Sequence, residues 1–370
     1  MSTRARRQRP QAHRHAQRGI ALLVAVLLVA LGTIIAAAVA YENAMTARRG
    51  TATYAFDQSI LIAQGAEALA AYGVQQLVQK DAKRYVYVGQ GWDKPYGPME
   101  IVPGVMLTAY LEDVQGRFNL NSLVDTTGRP NLTQLAVFRA LLAAVGLEQK
   151  WAGLLVDWID TDAVPSIPDG AEDSTYLGQT PPYLTANRYI TSTSELMALP
   201  GFDRQHFNLI APFVSALPPG TRLNVCTAPG TVLDAYIGPG HQEYGGAESE
   251  NLAKNRTSAG GCFPALQDYA KSFNTGNGNS WQTPTPAGGT APAARSGITP
   301  TTIGTDTGTG PRAGAPVAQG VVSLVGQSSN YFRLTSVVTI GSTEINLYSL
   351  LYMDPTSYAL RPIQRSFTPD

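Results

Sequence analysis

The chain has 370 residues, with 27 basic and 27 acidic side chains that cancel to no formal net charge. That balance leaves no basic footprint for nucleic acid. The 44% share of hydrophobic residues sets the chain apart from polar, disordered sequences, and its length suffices for two folded units.

Arg4, Arg6, Arg7, Arg9, Arg14 and Arg18 precede a stretch, Ile20 to Ala40, that contains no charged residue. As a helix rising about 1.5 Å per residue, this stretch spans roughly the 30 Å of a bilayer core. A secretory signal has a shorter apolar region, roughly 7–15 residues, before a small-residue cleavage site. Removal of the whole segment by cleavage after AAAVA, near Ala40, is therefore the weaker alternative. A basic leader without acids keeps the N-terminus cytoplasmic and sends the remainder to the periplasmic side of a single-pass anchor.

The run from Asn43 to Gln79 contains no proline, and Ile62, Ala66, Leu69, Gly73 and Leu77 recur at the spacing of an amphipathic helix face. Gly50, Gly65 and Gly73 each oppose helix by roughly 1 kcal/mol relative to alanine. The spacing nonetheless predicts one helix from Ile20 to about Gln79, on the order of 90 Å long. Half of it would lie in lipid, and half would project as the spine of a folded domain.

A basic leader, then Arg18-Gly19, then an apolar helix from the next residue resembles the class III signal of type IV pilins and type II secretion pseudopilins. The resemblance implies that a prepilin peptidase cuts after Gly19 and that Ile20 becomes a methylated N-terminus. The apolar segment is then kept as anchor and filament core. Most pilins carry glutamate at the fifth mature residue, where this chain has Val24. In lipid a carboxylate costs at least a few kcal/mol unless it finds a partner, and in pilins that partner is the amine of the next subunit up the filament. Valine offers no such grip, which suits a subunit with nothing above it.

Met106–Leu123 reads as a strand, a Gln-Gly turn and a second short strand. Helical patterning then takes over. Leu135, Phe138, Leu142 and Val145 share one face, with Asn131 as N-cap and Gly146 as stop. Trp151, Leu154, Leu155, Trp158 and Ile159 repeat the pattern, Ser192 and Glu195 stand at capping-box spacing, and a further helix is expected from Asp203 to about Val214. Leu223–Val225 reads as a strand again, and three more strands follow in NYFRLTSVVTI, TEINLYSLLYMD and YALRPI. Strands, a helical block and strands again predict an α+β fold. It comprises a leader (1–19), a transmembrane and spine helix (20–80) and a pilin-like antiparallel sheet domain in two parts (81–121 and 220–370). A large all-α domain (122–219) is inserted between those parts. Residues 283–320, rich in Thr, Pro, Gly and Ala, read as a flexible loop. Gly308, Gly310 and Ala313 in it match a dinucleotide-binding spacing, but no strand precedes them and Pro311 intervenes.

Cys226 and Cys262 are the two cysteines, both beyond the anchor. An oxidising compartment favours one disulfide between them over two free thiols. The densest chemistry lies in DWIDTDAVPSIPDGAEDSTYLGQTPPY, where Asp157, Asp160, Asp162, Asp169, Glu172 and Asp173 have no Lys or Arg among them. Such a cluster repels itself, and calcium is the hard cation suited to it, taking about six to eight oxygens. The spacing is not that of an EF-hand, since Val164 and Pro165 stand where a ligand and a turn glycine belong. A solvated acidic loop is the plain alternative. An acid pair for glycoside hydrolysis is a third, with nothing to mark a cleft or a protonated acid.

GRFNLNSLVD, LLVDWIDTDAVPSIPDGAEDSTY, PPYLTAN, SELMALPGF, LNVCTAP and SLLYMD stand in the order seen in the minor pseudopilin K of type II secretion, which the chain resembles outside the 283–320 loop. The resemblance implies a pilin-like domain interrupted by an α-domain, no fifth-position glutamate, and a complex with pseudopilins I and J at the pseudopilus tip. It also implies calcium in the acidic motif, with Asp160, Asp162, Glu172 and Asp173 as the ligands to test. A subunit of this kind initiates pseudopilus assembly for export across the outer membrane, sits in the inner membrane and is not an enzyme. Two rivals remain. ELMALPGFDRQHFNLI resembles a helix-hairpin-helix that grips DNA phosphates, except that Asp203 replaces the second glycine where phosphate would lie. A membrane-anchored hydrolase has no G-x-S-x-G or H-E-x-x-H to support it.

Overall fold

The computed structural model describes residues 14–237, 256, 261–263 and 323–369. The leader up to residue 13 and the 283–320 loop, with Gly308, Gly310 and Ala313, lie outside them.

Helix α1 (Arg14–Lys80) is unbroken over 67 residues, about 100 Å. From Ile20 to Ala40 every residue is exposed, and the helix is long and apolar enough there to cross a membrane. Burial begins at Ala55 and continues through Ser59, Ala63, Ala66, Glu67, Val74 and Val78, a stripe at helical spacing. Strands β1 (Tyr96–Val102) and β2 (Val105–Asp113) follow as a hairpin. Residue patterning carries no strand signal at β1. Pro98 cannot donate to a ladder and confines such a segment to an edge, and β1 is one of the two edge strands, paired irregularly with β2.

The chain then leaves the sheet. A short 3-10 turn at Val114–Gly116 leads through β3 (Phe118–Asn119) into α2 (Leu132–Ala144), α3 (Lys150–Ile159), the single turn α4 (Asp173–Tyr176) and α5 (Arg204–Ile210). Asn131 caps α2 by accepting from the Gln134 amide, and Gly146 ends it with φ +76°. Ser192 and Glu195 form the capping box, on a 3-10 helix at Thr193–Ala198. The last helix is shorter than its pattern. Pro212 opens a 3-10 turn at Ala211–Phe213, and Val214–Ser215 becomes β4, parallel to β3. Strand β5 (Leu223–Asn224) precedes α6 (Gly230–Ile237), and β6 (Val325–Gly326) pairs with β5 in parallel. One hydrophobic cluster joins Phe118, Phe138, Leu141, Trp151, Leu155 and Tyr176 to Cys226, Val232, Tyr236 and Val325. The helical core thus reaches past residue 219 and takes in segments expected to belong to the sheet part.

Strands β7 (Tyr331–Ile340), β8 (Thr343–Met353) and β9 (Leu360–Ser366) complete an antiparallel sheet ordered β1-β2-β7-β8-β9. Helix α1 lies on one face. Val74 and Val78 pack with Phe332, Leu334, Leu351 and Met353, while Ala63 and Ala66 pack with Leu107, Val338 and Leu347. The alternating burial of β7 is the pattern of a strand covered on one side.

Two buried polar contacts fix this arrangement. At the exit from the sheet, the fully buried Asp113 carboxylate accepts hydrogen bonds from the Gln115 amide (2.9 Å), Asn224 Nδ2 (3.0 Å), Thr227 Oγ1 (2.5 Å) and Ser329 Oγ (2.5 Å). Burial pushes its pKa up while those four bonds pull it down. Asn224 Nδ2 also donates to the Val86 carbonyl. On the spine, buried Glu67 accepts from both Arg365 Nε (2.8 Å) and Arg365 Nη2 (2.6 Å), and from Ser349 Oγ (2.5 Å). This ties α1 to β8 and β9.

Removing Arg365 strands that carboxylate. Breaking one side of a fully buried pair costs about 3–5 kcal/mol, but the Arg365 side chain is 42% exposed, and screening lowers the expected loss for Arg365→Ala to about 2 kcal/mol. Urea denaturation of the detergent-solubilised chain measures it. Arg365→Lys, which cannot make the two-pronged contact, should fall between the two.

Candidate metal centre

Helix α3 delivers Asp157 and Asp160 one turn apart, on its last turn and at its C-terminal flank, where the helix dipole already places negative charge. Carboxylates there are unfavourable without a cation. The loop that follows folds back onto the helix. Asp162 caps a turn by accepting from the Val164 amide (2.8 Å), and Asp157 Oδ2 accepts from the Ser166 amide (2.9 Å). A side chain at Gly170 would overlap the Asp157 carboxylate and the Ser166 backbone, and one at Gly153 would crowd Asp169. Gly170 is needed for this close approach and Gly153 eases it, and the returning loop brings Glu172 to the end of α3. Trp158, Tyr176 and Tyr183 form an aromatic cluster that clamps the returning chain, with ring centroids 5.2, 5.5 and 6.4 Å apart.

The result places ligand oxygens of Asp160, Asp162 and Glu172 within 4.8 Å of one another. Oxygens bound about 2.3–2.6 Å from one calcium ion lie at most about 5 Å apart, so the triad has the span of a single site. Asp160 and Glu172 are buried, and Asp160 Oδ1 and both Glu172 oxygens have no hydrogen-bond partner. Such atoms are costly unless a cation or proton meets them. Burial first, then the charges of Asp162 and Asp157, push the Asp160 carboxyl up to about 7. Burial and the neighbouring carboxylates push Glu172 to about 7 as well. The donor set, all hard oxygen, fits calcium.

Asp173 is placed differently. Its Oδ1 accepts from the Thr185 amide (3.0 Å) and hydroxyl (2.6 Å), which hold its pKa below the usual carboxylate range. It lies beside the triad as a loop fastener. Asp157, absent from the expected ligand set, is fully buried with Oδ1 unpartnered, and it is among the charges acting on both Asp160 and Glu172. Its three-residue spacing from Asp160 on one helix face was the signal that could have found it.

Elsewhere, Gly19 and Ile20 lie within α1. Cys226 and Cys262 are bonded to each other and buried. Their loop packs Gly261 against the Tyr87 ring. Asp203 caps α5, accepting from the Gln205 and His206 amides and pairing with His206 Nδ1 (2.7 Å). Its carboxylate thus occupies amides at the N-terminus of α5.

Residues 116–219 match the family described as type II secretion system (T2SS), protein K. The type II secretion system protein K of Pseudomonas aeruginosa is 33% identical over 268 residues, covering 70% of this chain and 77% of that protein. The chain belongs to the type II secretion protein K family. The Aeromonas hydrophila member is 37% identical over 216 residues, covering 55% of this chain and 64% of its relative. Among solved structures, a chain in the crystal structure of the GspK–GspI–GspJ complex from enterotoxigenic Escherichia coli matches with a TM-score of 0.63. At 20% identity, the match covers 87% of this chain and all of that one. The shared fold is a long N-terminal helix, an antiparallel sheet and additional helices, α+β as its sequence predicts. The family match takes in most of the helical domain and the whole acidic loop.

Because the folded-state pKa values of Asp160 and Glu172 lie above their ordinary values of 3.8 and 4.5, the cation-free folded protein holds protons that the unfolded chain has released. Its stability should therefore be highest below about pH 4 as far as these groups are concerned, and fall as pH rises to about 7. Thermal melts in chelator from pH 5 to 8 should show a falling midpoint, and Asp160→Asn should flatten the fall.

Proposed function

We propose that this chain is a minor pseudopilin at the tip of the type II secretion pseudopilus. There it helps to initiate assembly and hence export of folded proteins across the outer membrane. The carrying observation is the 33% identity to a type II secretion protein K over 77% of that protein's length. The fold match to a chain of the GspK–GspI–GspJ complex supports pseudopilins I and J as its partners. In this reading α1 is a single-pass inner-membrane anchor, N-terminus in the cytoplasm, and the prepilin peptidase cuts after Gly19 to leave Ile20 methylated.

Two features favour the tip. Val24 offers no carboxylate to a subunit overhead and is cheap in lipid. The helical domain inserted between β2 and β7 adds bulk beside the sheet that a packed shaft has no room for. The chain acts by fitting and holding, as a structural component of the secretion machine. Calcium held by Asp160, Asp162 and Glu172 would neutralise the end of α3 and lock the acidic loop against Trp158 and Tyr176.

Calcium that binds only the folded state stabilises by mass action, about 2.7 kcal/mol at a hundredfold excess over Kd. Calcium should raise the melting temperature by several degrees, and Asp162→Ala or Glu172→Ala should remove most of the gain. An unchanged wild-type midpoint in chelator refutes the site. The partner assignment is tested by co-purification. The chain processed at Ile20, verified by intact mass, should co-elute with the I and J pseudopilins in equal amounts. Elution alone, with all three proteins folded, counts against it.

A further inference from the structure

Helix α1 leaves its uncharged stretch at Ala40 and reaches its first buried residue at Ala55. No residue between Tyr41 and Tyr54 is buried, so the spine is a bare helix for about 21 Å between the apolar segment and the folded domain. The charged residues of this collar are Glu42, Arg48 and Arg49. Neither arginine has a carboxylate partner among the described residues. Glu42 is six and seven positions back and Asp57 is eight and nine ahead, too far along the helix for the three-to-four-residue pairing of helical neighbours.

Their height along the helix suggests what meets them. Arg48 stands about 12 Å beyond Ala40, and the polar layer of a bilayer extends about 5–8 Å past its hydrocarbon. Helical side chains lean toward the N-terminus, and arginine stems run along apolar surface while the head stays polar. The guanidinium groups therefore reach back to the level of lipid phosphates. Tyr41, on the same helix face as Arg48 and 67% exposed, sits at the membrane–water boundary where aromatic residues concentrate. A basic pair here also runs against the bias that places Lys and Arg on the untranslocated side. The pair opposes insertion and makes no ion pair among the described residues, which leaves both guanidinium groups open to a partner at the membrane surface.

We propose that Arg48 and Arg49 bind the phosphate of anionic lipid headgroups on the side of the membrane that carries the folded domain, and so fix the depth of the spine. Guanidinium suits this because its planar fork meets phosphate oxygens two at a time. The proposal rests on Ile20–Ala40 spanning the bilayer.

The test uses the full chain and Arg48→Gln/Arg49→Gln. Flotation with vesicles comes first: both proteins should float, and failure of both would sink the membrane span rather than the collar. Native mass spectrometry of the chains in detergent, titrated with phosphatidylglycerol, phosphatidylethanolamine or inorganic phosphate, then reads the collar. The wild type should prefer phosphatidylglycerol, and the double variant should lose roughly ten- to thirty-fold of that affinity. Its melting temperature and phosphatidylethanolamine binding should not change. Equal phosphatidylglycerol affinity in the two chains overturns the proposal. So does retention of inorganic phosphate as firmly as the lipid, or a variant that keeps the lipid but loses the I and J pseudopilins.

Discussion

Asp113 stands where three passages of the chain meet: the end of β2, the Asn224–Thr227 turn after β5, and Ser329 on the approach to β7. A carboxylate buried without a cation is among the more expensive groups a fold can contain. Here four donors from three passages of the chain converge on it, so the cost is offset only when all three are in place. Gln115 extends the network, donating to the Arg222 and Ser328 carbonyls and accepting from the Asn330 amide. The insertion of a helical domain into a sheet needs a junction of this kind. Without it, the two strands that leave and re-enter the sheet would form a hinge. With it, and with the Cys226–Cys262 bond packed beside Tyr87, the helical domain, the sheet and the segment that follows α1 are joined through one polar knot.

The same logic of like charges and their satisfaction governs the acidic loop, with the opposite balance. At Asp113 the donors are all in the chain. At the end of α3 they are missing: Asp160 and Glu172 hold buried oxygens that nothing in the described structure meets. The loop is shaped to keep them there, since Gly170 allows an approach that any side chain would prevent, and Gly153 spares Asp169 a tight contact. Two close-approach glycines and an aromatic cluster bring carboxylates together at the negative end of a helix, an arrangement that suits the cation proposed for it. Glu67 on the spine shows the alternative solution, a carboxylate paired in place by Arg365.

Much of this was legible in the sequence. The long spine followed from the absence of charge and proline and from helical spacing. Asn131, Gly146 and Ser192–Glu195 marked their termini because capping chemistry is local, and the alternation of Tyr331–Ile340 marked a half-covered strand. What escaped was set by tertiary contact. Strand β1 contains Pro98, which argues against a strand until its edge position is known. Strands β5 and β6 are two residues each, and they pair in parallel across about a hundred positions. Asp157 and Asp173 belonged to the same acidic run as the triad, and composition could not tell that one is buried beneath Gly170 while the other fastens Thr185. Nor could it show that the helical core takes in Val232 and Tyr236.

The chain joins a lipid-compatible helix without a fifth-position glutamate to a bulky domain anchored at the Asp113 junction, and both properties support the proposed place at the end of a filament. Immunogold labelling of intact pseudopili with antibody against the helical domain tests that placement most directly. The account predicts about one label per pseudopilus, at a single end. Label distributed along the shaft would contradict it.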